Sequence, residues 1–183
     1  MGRTAGFLAL AGFSRSPGLT GYHPGMYADA LSFLEDERDA WRPYEDLFTL
    51  TPAQLEMPVA GPDHWSGRDL LGHLVFWQAH VLDVARELAV GETSATYLHG
   101  EADWDARGDA INDEAVAAWR ALPLDELLRR ARTVPGELRG YLTVVPEARW
   151  LKNGDLQAFF TSETIDHYAD HAPDLAVILA AAR

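Results

Sequence analysis

Hydrophobic residues recur every three or four positions through most of the chain from residue 26 onward, with charged residues between them. This spacing collects the hydrophobic side chains on one face of an α-helix. No segment alternates hydrophobic and polar residues with a period of two between turn residues, so the sequence predicts no β-sheet. The pattern therefore predicts an all-α protein with four long amphipathic helices.

The second of these helices has the most clearly marked ends. Ser66 is a suitable N-cap residue, and Asp69 follows it at the spacing of a capping box. Gly91 is typical of a residue that closes a helix. Between the two ends, one stripe is formed by Leu70, His73, Leu74, Trp77, Val81, Val84 and Leu88.

Prolines mark the irregularities that we expect in the other long helices. Pro43 should kink the first helix or tighten a turn there, and Pro135 lies inside the third. The last helix is predicted to begin with Asp155 as its cap. Because Pro173 follows shortly after His171, a bend is expected just beyond that histidine.

The connection between the second and third long helices is unusually long. Residues 92–106 show no apolar period and are predicted to form a crossover loop, whose length suggests a role near a pocket. A shorter helix is predicted over about 107–121, with Pro123 as its end. Four long helices with one long crossover describe a four-helix bundle.

The first 25 residues differ from the rest. They are rich in glycine and small residues and show no amphipathic period. Arg3 and the apolar run after it resemble a short export signal, but no small-residue cleavage site follows. We therefore expect residues 1–25 to be a flexible extension, with export as the alternative, and residues 26–183 to form one domain.

Composition narrows the classes of partner and compartment. The chain has 15 Lys and Arg against 28 Asp and Glu, a net charge of −13, which disfavours a nucleic-acid or anionic-membrane partner. Its longest apolar runs, Ala5–Phe13 and Leu175–Ala182, are far shorter than the ~20 residues of a membrane span. The absence of cysteine excludes disulfides and thiolate ligands and fits a reducing compartment. We expect a cytoplasmic protein.

Two histidines stand one turn apart on the last helix. His167 and His171 have the four-residue spacing that lets two imidazoles converge on one metal ion. Seven histidines occur in the chain, so the spacing alone is weak support. The position of the pair on the helix gives stronger support for a metal site, because both residues share a stripe with Phe160 and Leu175 and should point into the bundle.

A third histidine, His73, lies on the inward stripe of the second helix. Burying an imidazole without a partner costs about 1–3 kcal/mol, and a divalent cation would satisfy several rings at once. Three neutral nitrogens from two helices would leave open positions for water or substrate. The alternative is that each ring is a core residue bonded to a carbonyl or carboxylate.

Other residues are candidates for the wall of a pocket. Trp77 and His80 follow His73 along the second helix, and His80 lines either the cavity or the ordinary core. Trp104 and Asn112 lie in or beside the crossover. They could cover the pocket, with Asn112 as a hydrogen-bond donor, or serve in ordinary packing and capping.

Two segments of the sequence resemble a known family. The run HWSGRDLLGHL at His64–Leu74, with Trp77 after it, resembles the start of the second helix in the DinB-like superfamily. The run IDHYADH at Ile165–His171, followed by Leu175, resembles its last helix. The similarity extends from about Met26 to the end of the chain and implies the four-helix bundle of that superfamily.

The resemblance also implies a site and a chemistry. Many members bind Zn or Ni through one histidine on the second helix and two on the last, which here correspond to His73, His167 and His171. The superfamily includes bacillithiol- and mycothiol-dependent transferases, relatives of maleylpyruvate isomerase N-terminal domains, and the ClbS/DfsB branch linked to resistance against a genotoxin. The proline-interrupted helices and the crossover are most similar to the ClbS/DfsB branch.

The expected function is that of a metal-dependent transferase or hydrolase, in which Zn²⁺ or Ni²⁺ activates water or a thiol toward an electrophilic small molecule. Since the chain has no cysteine, a thiol must arrive as a low-molecular-weight cosubstrate. One alternative is a metal-free ClbS/DfsB-like protein that binds or hydrolyses a reactive metabolite, and another is a non-catalytic helical module. A homodimer is compatible with the resemblance.

Overall fold

The computed structural model describes residues 27–59 and 65–183, except for the side chains of residues 101–106, 108, 109 and 112. The predicted extension at 1–25 lies outside the described residues. Within them the chain is helical and contains no β-strand, which confirms the all-α class. The α-helices are α1 (Ala30–Trp41), α2 (Pro52–Leu55), α3 (Gly67–Val90), α4 (Ala95–Ala121), α5 (Leu124–Val144), α6 (Gly154–Thr161) and α7 (His167–Ala181).

The predicted start and end of α3 are confirmed. The Ser66 hydroxyl accepts a hydrogen bond from the Asp69 backbone N–H at 3.1 Å, and the Asp69 carboxylate accepts from the Ser66 N–H at 3.2 Å. This reciprocal pair satisfies two backbone donors that have no partner inside the helix. Gly91 is the C-cap residue, and its N–H donates to the Glu87 carbonyl.

Most of the crossover is helical: only residues 92–94 are non-helical as predicted, and the prediction of a loop over 95–106 is wrong. After Gly91, α4 begins at Ala95 with Ser94 as its cap, and only Arg107 departs from helical geometry, with φ −143° and ψ 16°. Glu87 fixes the start of α4 by accepting hydrogen bonds from Ser94 and Thr96. Among the described contacts between elements, those of α4 are mainly with α3.

Contacts along α3 give the direction of α5. Near the start of α3, Arg68 donates to the carbonyl of Leu122, just before α5 begins. Toward its end, Arg86 pairs with Glu137, well inside α5, at 2.9 Å. The helices α3 and α5 therefore run parallel, and α4 returns the chain between them.

Prolines act differently at different positions. At Pro43 the chain tightens as predicted: α1 ends at Trp41 and a 3₁₀ segment, Arg42–Thr49, follows it. By contrast, α5 is one continuous helix through Pro135, and α7 is continuous through Pro173.

A buried polar network joins α1, α3, α5 and α7 in the core. Gln78 donates to the Tyr168 hydroxyl at 2.7 Å, and that hydroxyl donates to the Glu37 carboxylate at 3.0 Å. Arg139 pairs with the other oxygen of Glu37 at 2.7 Å. Tyr44 also donates to the backbone carbonyl of Tyr168. These bonds fix the rotation of α7 about its axis.

The last helical segment, predicted as one helix, differs from the prediction in its cap residue and in its continuity. Asn153, and not Asp155, caps α6, since its side chain accepts from the Leu156 N–H. Between α6 and α7 lies a π turn, Ser162–Asp166, which the hydrophobic pattern does not predict. Across the described residues, no helix is both long enough and apolar enough to span a membrane.

Candidate metal centre

Three histidines from α3 and α7 meet inside the helical assembly. The ring centroids of His73, His167 and His171 form a nearly equilateral triangle with sides of 4.8, 4.8 and 5.0 Å. One nitrogen from each ring lies within 4.8 Å of the other two. The structure therefore brings together the three residues that the sequence indicated.

His73 and His167 are the buried members of the cluster, with 9% and 1% of their surface exposed. Their Nε2 atoms lie 2.8 Å apart. Burial, reinforced by the neighbouring histidines, lowers the pKa of His73 to about 2, and burial together with His171 lowers that of His167 to about 3. Both rings are therefore neutral at pH 7, the form in which histidine binds metal.

His171 is less buried and is oriented by a carboxylate. Its Nδ1 lies 2.9 Å from Oδ2 of Asp174, one turn later on α7. A carboxylate can only accept a hydrogen bond, so Nδ1 is the donor, and in the neutral ring Nε2 is the nitrogen left for a metal ion. This is the outer-shell arrangement that orients metal-binding histidines in many proteins.

Two tryptophans that the sequence analysis did not select pack against the cluster. Trp65, just before α3, stacks on His171 with ring centroids 5.2 Å apart and lies 4.9 Å from His73. Trp119 of α4 meets His73 edge-on at 5.7 Å and is 3% exposed. The position of Trp119 on the short predicted helix gave a signal for its burial, but nothing in the sequence indicated which ring it would contact.

Gly72 makes the contact between α3 and Trp119 possible. A Cβ atom at this position would lie 2.3 Å from Cδ1 of Trp119, well inside van der Waals distance. Only glycine therefore allows Trp119 to pack where it does, beside His73.

The predicted pocket residues of α3 lie farther along the helix. Trp77 and His80 are half-buried, with ring centroids 6.0 Å apart, and His80 also faces Phe159 of α6 at 6.1 Å. At Gly100 the backbone of α4 packs closely against the His80 ring, since a Cβ atom at this position would lie 3.2 Å from that ring. His80 lies seven residues, or about 10 Å along the helix, beyond His73 and is not part of the triad.

The remaining predicted pocket residues, Trp104 and Asn112, are in α4, which also carries the exposed His99. The side chains of Trp104 and Asn112 lie outside the described residues, so their proposed role as a cover for the pocket stays a prediction.

The donor set fits a transition metal. Three imidazoles are borderline-soft nitrogen ligands that suit Zn²⁺ and Ni²⁺, and two of them are held neutral by burial. The cluster could therefore hold a divalent cation.

Comparison with known protein families matches residues 34–180 to the mycothiol maleylpyruvate isomerase N-terminal domain, a member of the DinB-like superfamily. The matched region contains all three histidines of the cluster. Comparisons with curated proteins and with solved structures find no significant match.

Proposed function

The chain belongs to the mycothiol maleylpyruvate isomerase N-terminal domain family of the DinB-like superfamily, and we propose that it is a metal-dependent enzyme. His73, His167 and His171 would hold the ion, either Zn²⁺ or Ni²⁺. The observation that carries this proposal is the convergence of three imidazoles, two of them buried and neutral, from two separate helices.

A bound ion of this kind lowers the pKa of a coordinated water or thiol and makes it a nucleophile near neutral pH. The side chains of the chain itself have two roles in this proposal. The three histidines supply neutral ligand nitrogens, and Asp174 orients the His171 ring. Trp65 stacks on that ring and would cover one of its faces.

The proposed substrate is an electrophilic small molecule. Because the chain contains no cysteine, a thiol nucleophile must be a separate cosubstrate. The family's description names mycothiol, which supports a low-molecular-weight thiol of that class. The reaction would be of the transferase type with a thiol and of the hydrolase type with water.

We also propose the arrangement of the whole molecule. The helices α1, α3 and α5 and the rod formed by α6 and α7 would be the four members of a bundle, with α4 as the crossover. The parallel course of α3 and α5 supports this topology, because a parallel pair requires a long return segment. We further propose a cytoplasmic protein that forms a homodimer and acts on a small molecule and not on nucleic acid.

The test is the metal content of the full chain, purified without a histidine tag, before and after addition of Zn²⁺ or Ni²⁺. We expect about one equivalent per chain in the wild type and loss of binding in H167N. H99N is the matched control, since His99 is exposed on α4 and outside the cluster. Wild-type protein that remains folded but binds neither ion would reject the proposal and favour the metal-free alternative.

A further inference from the structure

A cavity of about 380 Å³ lies between α3, α5 and the end of α4. Its volume falls within the roughly 300–1,000 Å³ that is typical of small-molecule sites. The wall is largely apolar and includes Val75, Phe76, Leu82, Trp119, Leu127 and Val134. In the part of the chain that the structure describes, no histidine of the cluster lines this cavity, so it is distinct from the candidate metal centre.

Trp119 borders both the cavity and the histidine cluster. It lines the cavity from α4 and meets the His73 ring edge-on at 5.7 Å. Its side chain is 3% exposed, and its indole N–H has no hydrogen-bond partner among the described residues. Burying a donor without a partner is unfavourable, and a ligand that accepts a hydrogen bond from this N–H would remove that cost.

The rim of the cavity carries an excess of positive charge near the start of α5. Arg129 and Arg130 both line the cavity, and both donate to one carboxylate, that of Glu126, at distances of 2.7 and 2.8 Å. One carboxylate balances only one of two guanidinium groups, so one positive charge remains. An anion at this rim would gain charge-assisted hydrogen bonds from the two arginines.

Seven residues after Arg130, or about 10 Å along α5, the charge balance is reversed. Arg86 pairs there with two carboxylates, those of Asp83 at 3.0 Å and Glu137 at 2.9 Å, and all three residues line the cavity. A second negative charge on a ligand would be repelled at this end. The lining therefore favours an apolar molecule with a single anionic group.

We propose that this cavity is a binding site for a small aromatic anion with one negative charge, of the class of the aromatic carboxylates. The anionic group would lie at Arg129 and Arg130, and the aromatic body would pack against Phe76 and Trp119. The site needs no metal ion, and it goes beyond the proposed function.

The test uses two fluorescent probes that differ by one charged group: anilinonaphthalene sulfonate, an aromatic monoanion, and N-phenylnaphthylamine, its uncharged analogue. Both are titrated into the full chain at pH 7 with a chelator present, so the result does not depend on the metal site. We expect the anion to bind at one site per chain and more tightly than the neutral probe. Its affinity should fall as salt is added, because salt screens the exposed arginines, and that of the neutral probe should not.

R129Q/R130Q should weaken binding of the anion about fivefold and change that of the neutral probe little. The matched control is R42Q/R107Q, which removes the same charge from exposed arginines that pair with carboxylates away from the cavity. Equal anion affinities of the two double variants would overturn the proposal. Equal affinities of the wild type for both probes would also overturn it, and so would a folded wild type that binds neither.

Ala79→Phe tests the location of the site, because Ala79 lines the cavity on α3 and a larger side chain there would fill it. We expect about tenfold weaker binding of both probes. Ala40→Phe on α1 is the control, since Ala40 is also half-buried but does not line the cavity. Urea unfolding checks that each variant is folded, and the arginine variants decide the question if A79F is not. Unchanged binding to folded A79F would place the probes elsewhere and overturn the proposal.

Discussion

At the residue scale, the site depends on side chains that the sequence could indicate and on others that it could not. His73, His167 and His171 were predictable because each lies on the inward stripe of an amphipathic helix, and the resemblance pointed to the same three residues. Trp65 and Trp119 were not, since their contacts with the histidine rings arise only when segments distant in sequence pack together. A hydrophobic stripe predicts that a side chain is buried, but it does not predict which residue that side chain contacts.

The low pKa values of the two buried rings predict a dependence of stability on pH. Burial lowers the pKa of His73 to about 2 and that of His167 to about 3, below the 6.5 of an exposed histidine. Between about pH 3 and 6.5 the unfolded chain therefore binds more protons than the folded chain, and the metal-free protein loses stability as the pH falls through this range. We expect up to about 2 kcal/mol per ring at pH 5, measured by urea unfolding at pH 7 and pH 5.

The comparison for this prediction is between H73Q/H167Q and H99Q. The double variant should lose much less stability between pH 7 and pH 5 than the wild type, while H99Q should follow the wild type because His99 is exposed. Equal slopes for all three proteins would show that the two rings do not resist protonation.

Gly72→Ala tests the contact between Trp119 and the cluster. The added methyl group would meet Cδ1 of Trp119 at 2.3 Å, so Trp119 must move away from His73. Overpacking of this kind costs about 1–3 kcal/mol, and we expect that loss in the free energy of unfolding together with weaker binding of Zn²⁺. Gly140→Ala on α5 is the control, since a Cβ there meets nothing within 4 Å and should leave stability unchanged or raise it by up to about 1 kcal/mol. Equal effects of the two substitutions would contradict the prediction.

At the element scale, local signals were sufficient for α3 and insufficient for α4 and the π turn. The capping box at Ser66 acts through residues adjacent in sequence, so its pattern is readable. The start of α4 depends on Glu87, which accepts bonds from Ser94 and Thr96 only after the chain has turned back. The π turn has no propensity signature, because a regular helix would satisfy the same backbone groups.

Arg139→Gln tests the buried network that fixes α7. Glu37 has no exposed surface, and burial raises its pKa even though Arg139 partly opposes that shift. Removal of the cation leaves a buried carboxylate without its charge partner, which costs about 3–5 kcal/mol. We expect that loss in urea unfolding at pH 7. The double variant E37Q/R139Q should recover part of it, because no charge then remains to be buried.

Arg130→Gln is the control for the network. Arg130 pairs with Glu126 on the exposed side of α5, where water and salt screen the two charges and the pair contributes little to stability. A loss in R139Q no larger than in R130Q would show that the Glu37 pair contributes little to the core.

At the scale of the whole molecule, the all-α class follows from hydrophobic spacing alone, because each amphipathic face requires a partner and no segment offers a strand pattern. The relative direction of the helices was harder to predict from the sequence. It depends on the course of α4, whose helical nature was hidden by the weak hydrophobic period of its sequence. The parallel pair α3 and α5 therefore became evident only from contacts such as the one between Arg86 and Glu137.

The position of the cluster predicts that metal binding stabilises the whole fold. His73 belongs to α3, whereas His167 and His171 belong to α7, so an ion bound to all three would link helices that are distant in sequence. A ligand that binds only the folded state at 100 times its dissociation constant adds about 2.7 kcal/mol. In a chain of this size that corresponds to an increase in Tm of roughly 5–10 °C. Scanning calorimetry with added Zn²⁺ should show this increase, and a chelator should reverse it.

H171N retains both buried rings but removes the third ligand, and it should lose most of the increase. H99N should keep all of it, and an equal increase in H171N would mean that the ion stabilises the protein at some other site.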